Sequence, residues 1–407
     1  MLLPVLSITT LALSRGSAAQ SNSPDTPLSR ALTAANTLQT WYNPATGIWN
    51  TCGWWNGANC LTALANLAST NESSAATDLA TGVFQNTFSV ATNVNPFPAR
   101  GANESCYTSA NGTAYDQISG EDSKPAPTGA ANATLWLDGS YDDDAWWGLA
   151  WIAAYDVTGD KAYLDLAEGI FYHLSNAWPS TCGNGGIDSS YTHVYVGAIA
   201  NELFLALAGH LATRTANTTY YTAWAKRQWT WFRDSGLINE NYTINDGLAG
   251  TGDHCRNNGG TVWTYNQGVI LGGLVQLHLA TTNGTSGSNT TSNSTYLDEA
   301  SKIAHGAIEA LVDDKDVLRE PCETTEEGCG PDQTQFKGIF IRNLKVLHDI
   351  MPEEAFGRVI NASADSIWEN DRLADNRLGV YWAGPVEEGL VNASTHGSAL
   401  DALVAAV

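Results

Sequence analysis

Apolar residues return every three or four positions along almost the whole chain, the spacing of one face of an α-helix, and convincing strand alternation is nearly absent. In AYLDLAEGIFYHL the apolar positions Tyr163, Leu166, Ala167, Ile170, Phe171 and Leu174 fall on one face; in SKIAHGAIEALV the stripe is Ile303, Ala307, Ile308 and Leu311. This periodicity predicts twelve helices, at 28–42, 54–69, 75–92, 143–157, 161–177, 194–213, 218–234, 263–281, 296–312, 333–350, 353–370 and 397–406. The breaks between them carry Gly, Asn, Pro and Cys, as in TCGNGGIDSS and GTGDHCRNNGG. No Pro/Ser-rich linker divides the chain, so residues 20–407 read as a single domain. Twelve helices joined alternately by short and long connections suggest an all-α (α/α)6 toroid of six helical hairpins. An irregular helical solenoid is the rival, but no repeat of fixed period is visible. In a toroid the loops ahead of alternate helices gather at one mouth, and polar and aromatic residues placed there converge on one site.

Composition narrows what such a site handles. Acidic residues number 42 against 19 Lys and Arg, a net charge of −23, and no basic cluster is present. A nucleic-acid binder needs a basic footprint, so that class is excluded. The 15 Trp, 15 Tyr and 9 Phe exclude a disordered chain. So many aromatics with only 15% charged residues suit a protein that handles apolar or sugar-like flat surfaces, although a large helical core also consumes aromatics.

The first twenty residues, MLLPVLSITTLALSRGSAAQ, hold an apolar run from Leu2 to Leu13 and small residues from Ser17 to Ala19. This predicts a secretory signal at 1–19, removed after Ala19; the run is too short to span a bilayer. Eleven Asn-x-Ser/Thr sequons, at Asn71, Asn103, Asn111, Asn132, Asn217, Asn241, Asn283, Asn289, Asn293, Asn361 and Asn392, fit a glycosylated secretory product. The C-terminal STHGSALDALVAAV lacks the spacer and tail of a lipid-anchor signal. A secreted, extracellular monomer that is not membrane-embedded is expected, with the cell wall as the alternative location. Of the seven Cys, most are expected to be bridged in an oxidising compartment, and the odd count leaves one over. Cys322 and Cys329 read as a pair, and Cys182 and Cys255, both in Gly/Asn-rich loops, can join; Cys52, Cys60 and Cys106 stay unassigned. No zinc spacing and no HExxH occur, so neither metal nor cofactor is expected.

The sharpest local feature is SYDDDAWWGLAWIAAYDVTGD, three acids and two Trp opening a helix. Asp142, Asp143 and Asp144 are explained plainly enough as a cap that complements the helix dipole. Three consecutive carboxylates beside two large aromatics, however, repel one another more than a cap requires. Cleaving a sugar bond needs one carboxylate and one protonated carboxyl, and like charges with partial burial hold a proton on one of them. Consecutive residues at a helix start place carboxyls about 5–6 Å apart, near the roughly 5–5.5 Å of retaining glycosidases.

The segment YDDDAWWGLAWIAAYDVTGDKAYLDLA resembles the signature of glycoside hydrolase family 76, the fungal and bacterial endo-α-1,6-mannanases. GWWNGAN (53–59), GAIANELFLALAGHL (197–211), WTYNQGVILGGL (263–274) and DQTQFKGIFIRNL (332–344) match in order, so the resemblance spans roughly 30–405. It implies a six-hairpin toroid and retaining cleavage of an α-1,6-mannan or manno-oligosaccharide, with relatives that transglycosylate in fungal walls. The family pattern is an Asp-Asp pair, two residues, then Trp. Counting back from Trp146 makes Asp142 the nucleophile and Asp143 the acid/base, with Asp144 an extra acid; the triple Asp also permits a slip to Asp143 and Asp144. Where the family usually has Tyr-Lys-Asn the chain reads Tyr195, Val196 and Gly197, so the Lys and Asn are lost, which bears on subsite contacts and not on the acid pair.

Around this pair the candidate sugar contacts are Trp54, Trp55 and Asn56, then Trp146, Asp246, and the helix-opening Trp263, Tyr265, Asn266 and Gln267. Each has a plainer reading, core packing for the aromatics and an Asx turn for Asp246. Lys337 and Arg342 read as structural partners of carboxylates; Trp224, Trp229 and Trp231 read as core. The first functional expectation is a secreted retaining endo-α-1,6-mannosidase. The alternatives are a wall transglycosidase acting on the same glycan and a non-catalytic mannan-binding protein.

Overall fold

The structure, a computed structural model, describes residues 25–97, 132–282 and 294–407. The predicted leader 1–19, Cys106 and the sequons at Asn103, Asn111, Asn283, Asn289 and Asn293 lie outside the described residues. Twelve α-helices follow in chain order among those described: α1 Pro27–Leu38, α2 Trp54–Ser69, α3 Ser74–Val90, α4 Tyr141–Thr158, α5 Lys161–Ser175, α6 Ala198–Arg214, α7 Thr218–Asp234, α8 Thr264–Thr282, α9 Ser294–Leu311, α10 Phe336–Ile350, α11 Glu354–Asn370 and α12 Ala393–Ala405. The even-numbered helices pack each on the next, and α12 closes back on α2. The odd-numbered helices lie outside this ring, α1 against α12, α3 against α2, α5 against α4, α7 against α6, α9 against α8 and α11 against α10. This is the all-α toroid that the periodicity predicted.

Sequence decides which helix goes where. An outer helix such as α11, EAFGRVINASADSIWEN, has one apolar face and buries Phe356, Val359, Ile360 and Ile367 from it. An inner helix is surrounded, so it must be apolar on nearly all sides; α8, TYNQGVILGGLVQLHLATT, has no charged residue and buries most of its length. Glycine sets how close the inner helices come. A Cβ on Gly338 would sit 2.4 Å from the Ser398 carbonyl oxygen, and one on Gly268 would sit 2.5 Å from the Phe340 Cα. Neighbouring backbones in the ring are therefore nearly in contact.

The inner helices all run the same way. Their first turns meet at one mouth, as contacts among Trp55, Trp146, Tyr265 and Phe336 show. Their last turns line a cavity of about 610 Å³ at the opposite end, with Thr70, Asp156, Arg214, Gln276 and Asp349 around it. Outer helices α1, α3 and α5 start on side-chain caps from Thr26, Ser73 and Asp160. Inner helices α2, α4 and α6 follow Gly53, Ser140 and Gly197 with no such cap, so their first amides are left to the mouth.

Helix limits differ from expectation for local reasons. Helix α6 starts at Ala198 because Val196–Gly197 forms a strand, β1, antiparallel to β2 (Gly247–Ala249), with Gly197 opposite Gly247; β2 pairs in turn with β3 (Arg256–Asn257). Helix α12 starts earlier than periodicity suggested, because Asn392 caps it in a reciprocal box with Thr395. A 3-10 turn at Gln333–Gln335 leads into α10. Among the described residues two disulfides are formed, Cys182–Cys255 and Cys322–Cys329. No helix among the described residues is long and apolar enough to cross a membrane.

Buried ionisable groups tie the ring. Glu320 accepts from the Thr264 amide at 3.0 Å and from the Thr264 hydroxyl, fixing the start of α8. Arg342 on α10 bridges Asp401 on α12 at 2.9 Å and Asn59 on α2 at 2.5 Å. Lys337 pairs with Glu323 and donates to the Val380 carbonyl at 2.6 Å. His396 accepts from the Leu378 amide at 3.0 Å and lies 2.8 Å from the Ala34 carbonyl, so its ring is buried as the neutral form. Burial raises Glu320 to about 8, Asp371 to about 7 and Asp401 to about 6, against the pull of Thr264, Lys337 and Arg342 respectively. It lowers His396 to about 4.

A carboxyl whose folded pKa is raised contributes stability that is complete below its unfolded value and is lost as pH rises through the folded one. The buried histidine works the other way and costs nothing above its unfolded value of 6.5. Between pH 6.5 and 8 only the carboxyl effect remains of these four groups. The thermal midpoint should therefore fall across that interval; a midpoint that is flat or rises would contradict the burial of these acids in the folded ring.

Candidate active site

The mouth is organised by the first turn of α4. Asp144 is fully buried: one carboxylate oxygen accepts from the Asp138 amide at 2.9 Å, the other from the Tyr191 hydroxyl at 2.8 Å, with His173 Nε2 at 3.8 Å. It thus folds beneath the helix and pins the preceding turn and Tyr191. Asp142 and Asp143 stay half-buried on the mouth side. Asp138, itself buried, accepts from the Ser140 amide at 3.0 Å, and its carboxyl is within hydrogen-bonding reach of Asp143.

Four carboxyls in seven residues cannot all ionise cheaply. Burial pushes Asp142 up to about 7, with the charges of Asp138 and Asp332 adding to it and the helix amides of Asp142 and Asp143 pulling it back. Burial also raises Asp143 well above the usual range, and Asp142, Asp138 and Asp144 all push it further. Asp144 is raised by burial and by Asp138, opposed by its bonds from the Asp138 amide and Tyr191. Both acids are therefore raised; helix amides oppose the rise at Asp142, whereas three neighbouring acids add to it at Asp143.

Aromatic rings face this pair. Trp55 stacks on Trp146 with centroids 5.8 Å apart and donates from its indole nitrogen to Asp332 at 3.3 Å. Tyr265 stacks on Phe336 at 3.8 Å, and Trp263 meets the same ring edge-on at 5.8 Å. Burial raises the Tyr265 hydroxyl well above its ordinary value, and Asp142, Asp246, Glu202 and Asp332 add to it, so this phenol stays protonated as a donor among acids. At the rim, Tyr195 donates to Asp246 at 2.5 Å and accepts from Asn258 at 3.0 Å. The segment where the chain departs from the family pattern is thus the one that holds Asp246.

Not every candidate reaches the mouth. Successive helical residues point about 100° apart, so while Trp55 faces the mouth, Trp54 turns into the core, 4.8 Å from Trp147 and 5.9 Å from Trp136. Trp146 is buried as a floor between Trp55 and the rear cavity, with Arg342 5.5 Å from its ring. Asn56 donates to Gln335 at 3.1 Å and Ser394 at 3.2 Å, joining α2 to α10 and α12 from behind. Gln267 is fully buried, its amide bonded to both backbone groups of Ile244 at 2.8 and 2.9 Å, so it shapes the loop that carries Asp246. Asn266 is also fully buried, and its amide has no hydrogen-bond partner among the described residues. Lys337 and Arg342 are engaged in the ion pairs of the ring.

Sequence reading passed over Asp138, Tyr191, Glu202, Asp332 and Phe336. Two of these stood inside the matching DQTQFKG segment, and Glu202 is a lone acid in an otherwise apolar helix, which is itself a signal. Its carboxyl group is fully buried, with neither oxygen hydrogen-bonded among the described residues, and burial together with Asp246 raises it well above the usual carboxylate range. Among the described residues no group of three or more His, Cys, Asp and Glu could hold a metal ion.

The Glycosyl hydrolase family 76 model matches residues 28–407. The mannan endo-1,6-alpha-mannosidase DFG5 of Saccharomyces cerevisiae is 27% identical over 281 residues, covering 64% of this chain and 58% of that protein. The mannan endo-1,6-alpha-mannosidase DCW1 of Candida albicans is 29% identical over 229 residues, covering 52% of this chain and 48% of that protein. The chain thus spans about half the length of the curated relatives it matches. Among solved structures, an inactive α-1,6-mannanase variant from Salegentibacter, with Asn at two consecutive Asp positions and α-1,6-mannotriose bound, aligns with a TM-score of 0.71 at 18% identity. That alignment covers 94% of this chain and 99% of the other. Dfg5 from Chaetomium thermophilum, in complex with glucosamine, aligns with a TM-score of 0.68 at 20% identity, over 95% and 91% of the two chains.

Proposed function

Since this chain belongs to glycosyl hydrolase family 76, we propose that it cleaves α-1,6-mannosidic bonds within a mannan chain, outside the cell, by double displacement. The observation that carries this reading is the pairing of Asp142 and Asp143, two half-buried acids on consecutive residues, both raised by burial, the rise opposed by helix amides at Asp142 and increased by the neighbouring acids at Asp143. Asp142 attacks the anomeric carbon while Asp143 protonates the departing glycosidic oxygen; Asp143 then takes a proton from the water that releases the glycosyl group. Their proximity leaves little room for the water that inverting enzymes hold between carboxyls roughly 6.5–9.5 Å apart. Asp144, buried beneath the helix with both oxygens bonded, supports this register over one shifted by a residue.

Trp55, Trp263 and Tyr265 offer flat surfaces for sugar rings, and Asp246 with Tyr195 offers hydroxyl contacts at the rim. A second reading, transfer of the mannosyl chain to a glycan acceptor, is favoured by the glucosamine found in the Chaetomium neighbour. Product analysis on linear α-1,6-mannan with and without an acceptor glycan separates the two. Shortened mannan in both samples supports hydrolysis, a predominant transferred product supports the second reading, and binding without turnover contradicts both.

Asp142→Asn should abolish turnover and any glycosyl-enzyme intermediate. Asp143→Asn should lose about 10²–10⁴-fold on mannan yet retain rate on an aryl mannoside whose leaving group needs no proton. Near wild-type turnover by Asp142→Asn with loss in Asp144→Asn would move the pair by one residue. Asp138→Asn tests the origin of the acid's proton: removing that neighbouring charge should shift the basic limb of the kcat/KM profile to lower pH. An unmoved limb would exclude Asp138 as a tuning group.

A further inference from the structure

Two disulfides account for four of the described cysteines, and the remaining two are not scattered. The Sγ atoms of Cys52 and Cys60 lie 3.8 Å apart, Cys52 just ahead of α2 and Cys60 fully buried in its second turn. We propose that in the mature protein these two residues are joined by a third disulfide, which fastens the segment before α2 to the helix that carries Trp55.

The backbone there has reason to be fastened. Thr51, a β-branched residue, sits at φ 64°, in the left-handed region such residues avoid. What holds it is the hydrogen bond that its hydroxyl accepts from the Ala393 amide at 3.1 Å, while Cys60 approaches the Ala393 carbonyl at 3.7 Å. Cys52 and Cys60 therefore flank the joint between α2 and the start of α12. The loop they would close contains Trp54, Trp55 and Asn56, one in the core, one at the mouth and one in the tie behind it. A bond of about 2.05 Å requires the sulfurs to close by less than 2 Å, which rotation of the half-buried Cys52 side chain supplies.

The chemistry balances as thiol–disulfide exchange. Each thiol gives up its proton, one S–S bond forms between the two sulfurs, and the two electrons reduce a disulfide of an oxidising compartment to its dithiol. The bonded Cys182–Cys255 and Cys322–Cys329 pairs require such an environment independently of any reading of the active site. Burial raises the Cys52 thiol well above its usual range, and the neighbouring Cys60 adds to this, so Cys52 makes a poor nucleophile in the folded state and is suited to closure during folding. No third His, Cys, Asp or Glu joins them in a metal cluster among the described residues.

The test is thiol mapping of full-length protein made through a eukaryotic secretory pathway. The unreduced protein is denatured, alkylated, digested with chymotrypsin and analysed by mass spectrometry. Cleavage after Trp54 or Trp55 separates the two cysteines, so the linked pair appears as a two-peptide species that reduction splits. The expected result is that species, with Cys106 carrying the alkyl group. Alkylated Cys52 and Cys60, or either one linked to Cys106, would overturn the proposal. A Cys52→Ser/Cys60→Ser variant provides a second measurement: a lower thermal midpoint than the parent is expected, and a midpoint equal to it would count against a bond at this joint.

Discussion

Burial of like charge at one helix start is the constraint around which the mouth is arranged. Asp138, Asp142, Asp143 and Asp144 crowd into the turn that opens α4, while Lys337 and Arg342 on α10 are engaged elsewhere, by Glu323 and Asp401. Buried among one another, the acids are all shifted toward keeping protons, and neighbouring groups set how strongly each is. Burial raises both Asp142 and Asp143; helix amides oppose the rise at Asp142, while Asp142, Asp138 and Asp144 add to it at Asp143. A difference between neighbouring carboxyls is what the proposed nucleophile and acid require.

The toroid supplies what this arrangement needs. Glycines such as Gly268 and Gly338 let inner backbones close up, and the parallel run of the inner helices brings the uncapped starts of α2, α4 and α6 to one face. The aromatic residues divide between two tasks. Trp54, Trp136, Trp147 and Trp151 interlock in the core beneath α4, while Trp55, Trp263, Tyr265 and Phe336 surround the acids. Buried groups in between, Gln267 and Asn56 among them, hold these walls in place by bonding to loops and neighbouring helices.

The helices were legible because an outer helix needs an apolar face and an inner one an apolar circumference, and both leave a mark at helical spacing. Starts were less legible where tertiary pairing took over, as at Val196–Gly197, or where an unusual cap acted, as at Asn392. The acid pair was visible as a local run. Which residues face it was not, since adjacent residues such as Trp54 and Trp55 carry the same chemistry and differ only in rotation about the helix axis. Asp138, Tyr191 and Phe336 lie beyond that run, and only the fold brings them to it. The Cys182–Cys255 pairing, spanning 73 residues, was open in sequence and is closed in the structure.

Double displacement at Asp142 is tested most directly by the configuration of the first product. Linear α-1,6-mannan would be digested with enough enzyme to outrun mutarotation, and the reducing-end anomeric proton followed by NMR from the first moments. Attack by Asp142 and then by water activated through Asp143 inverts the anomeric carbon twice, so the α anomer should appear first. A β anomer appearing first would contradict that mechanism and require a second carboxylate at a distance, with Asp246 the first to examine.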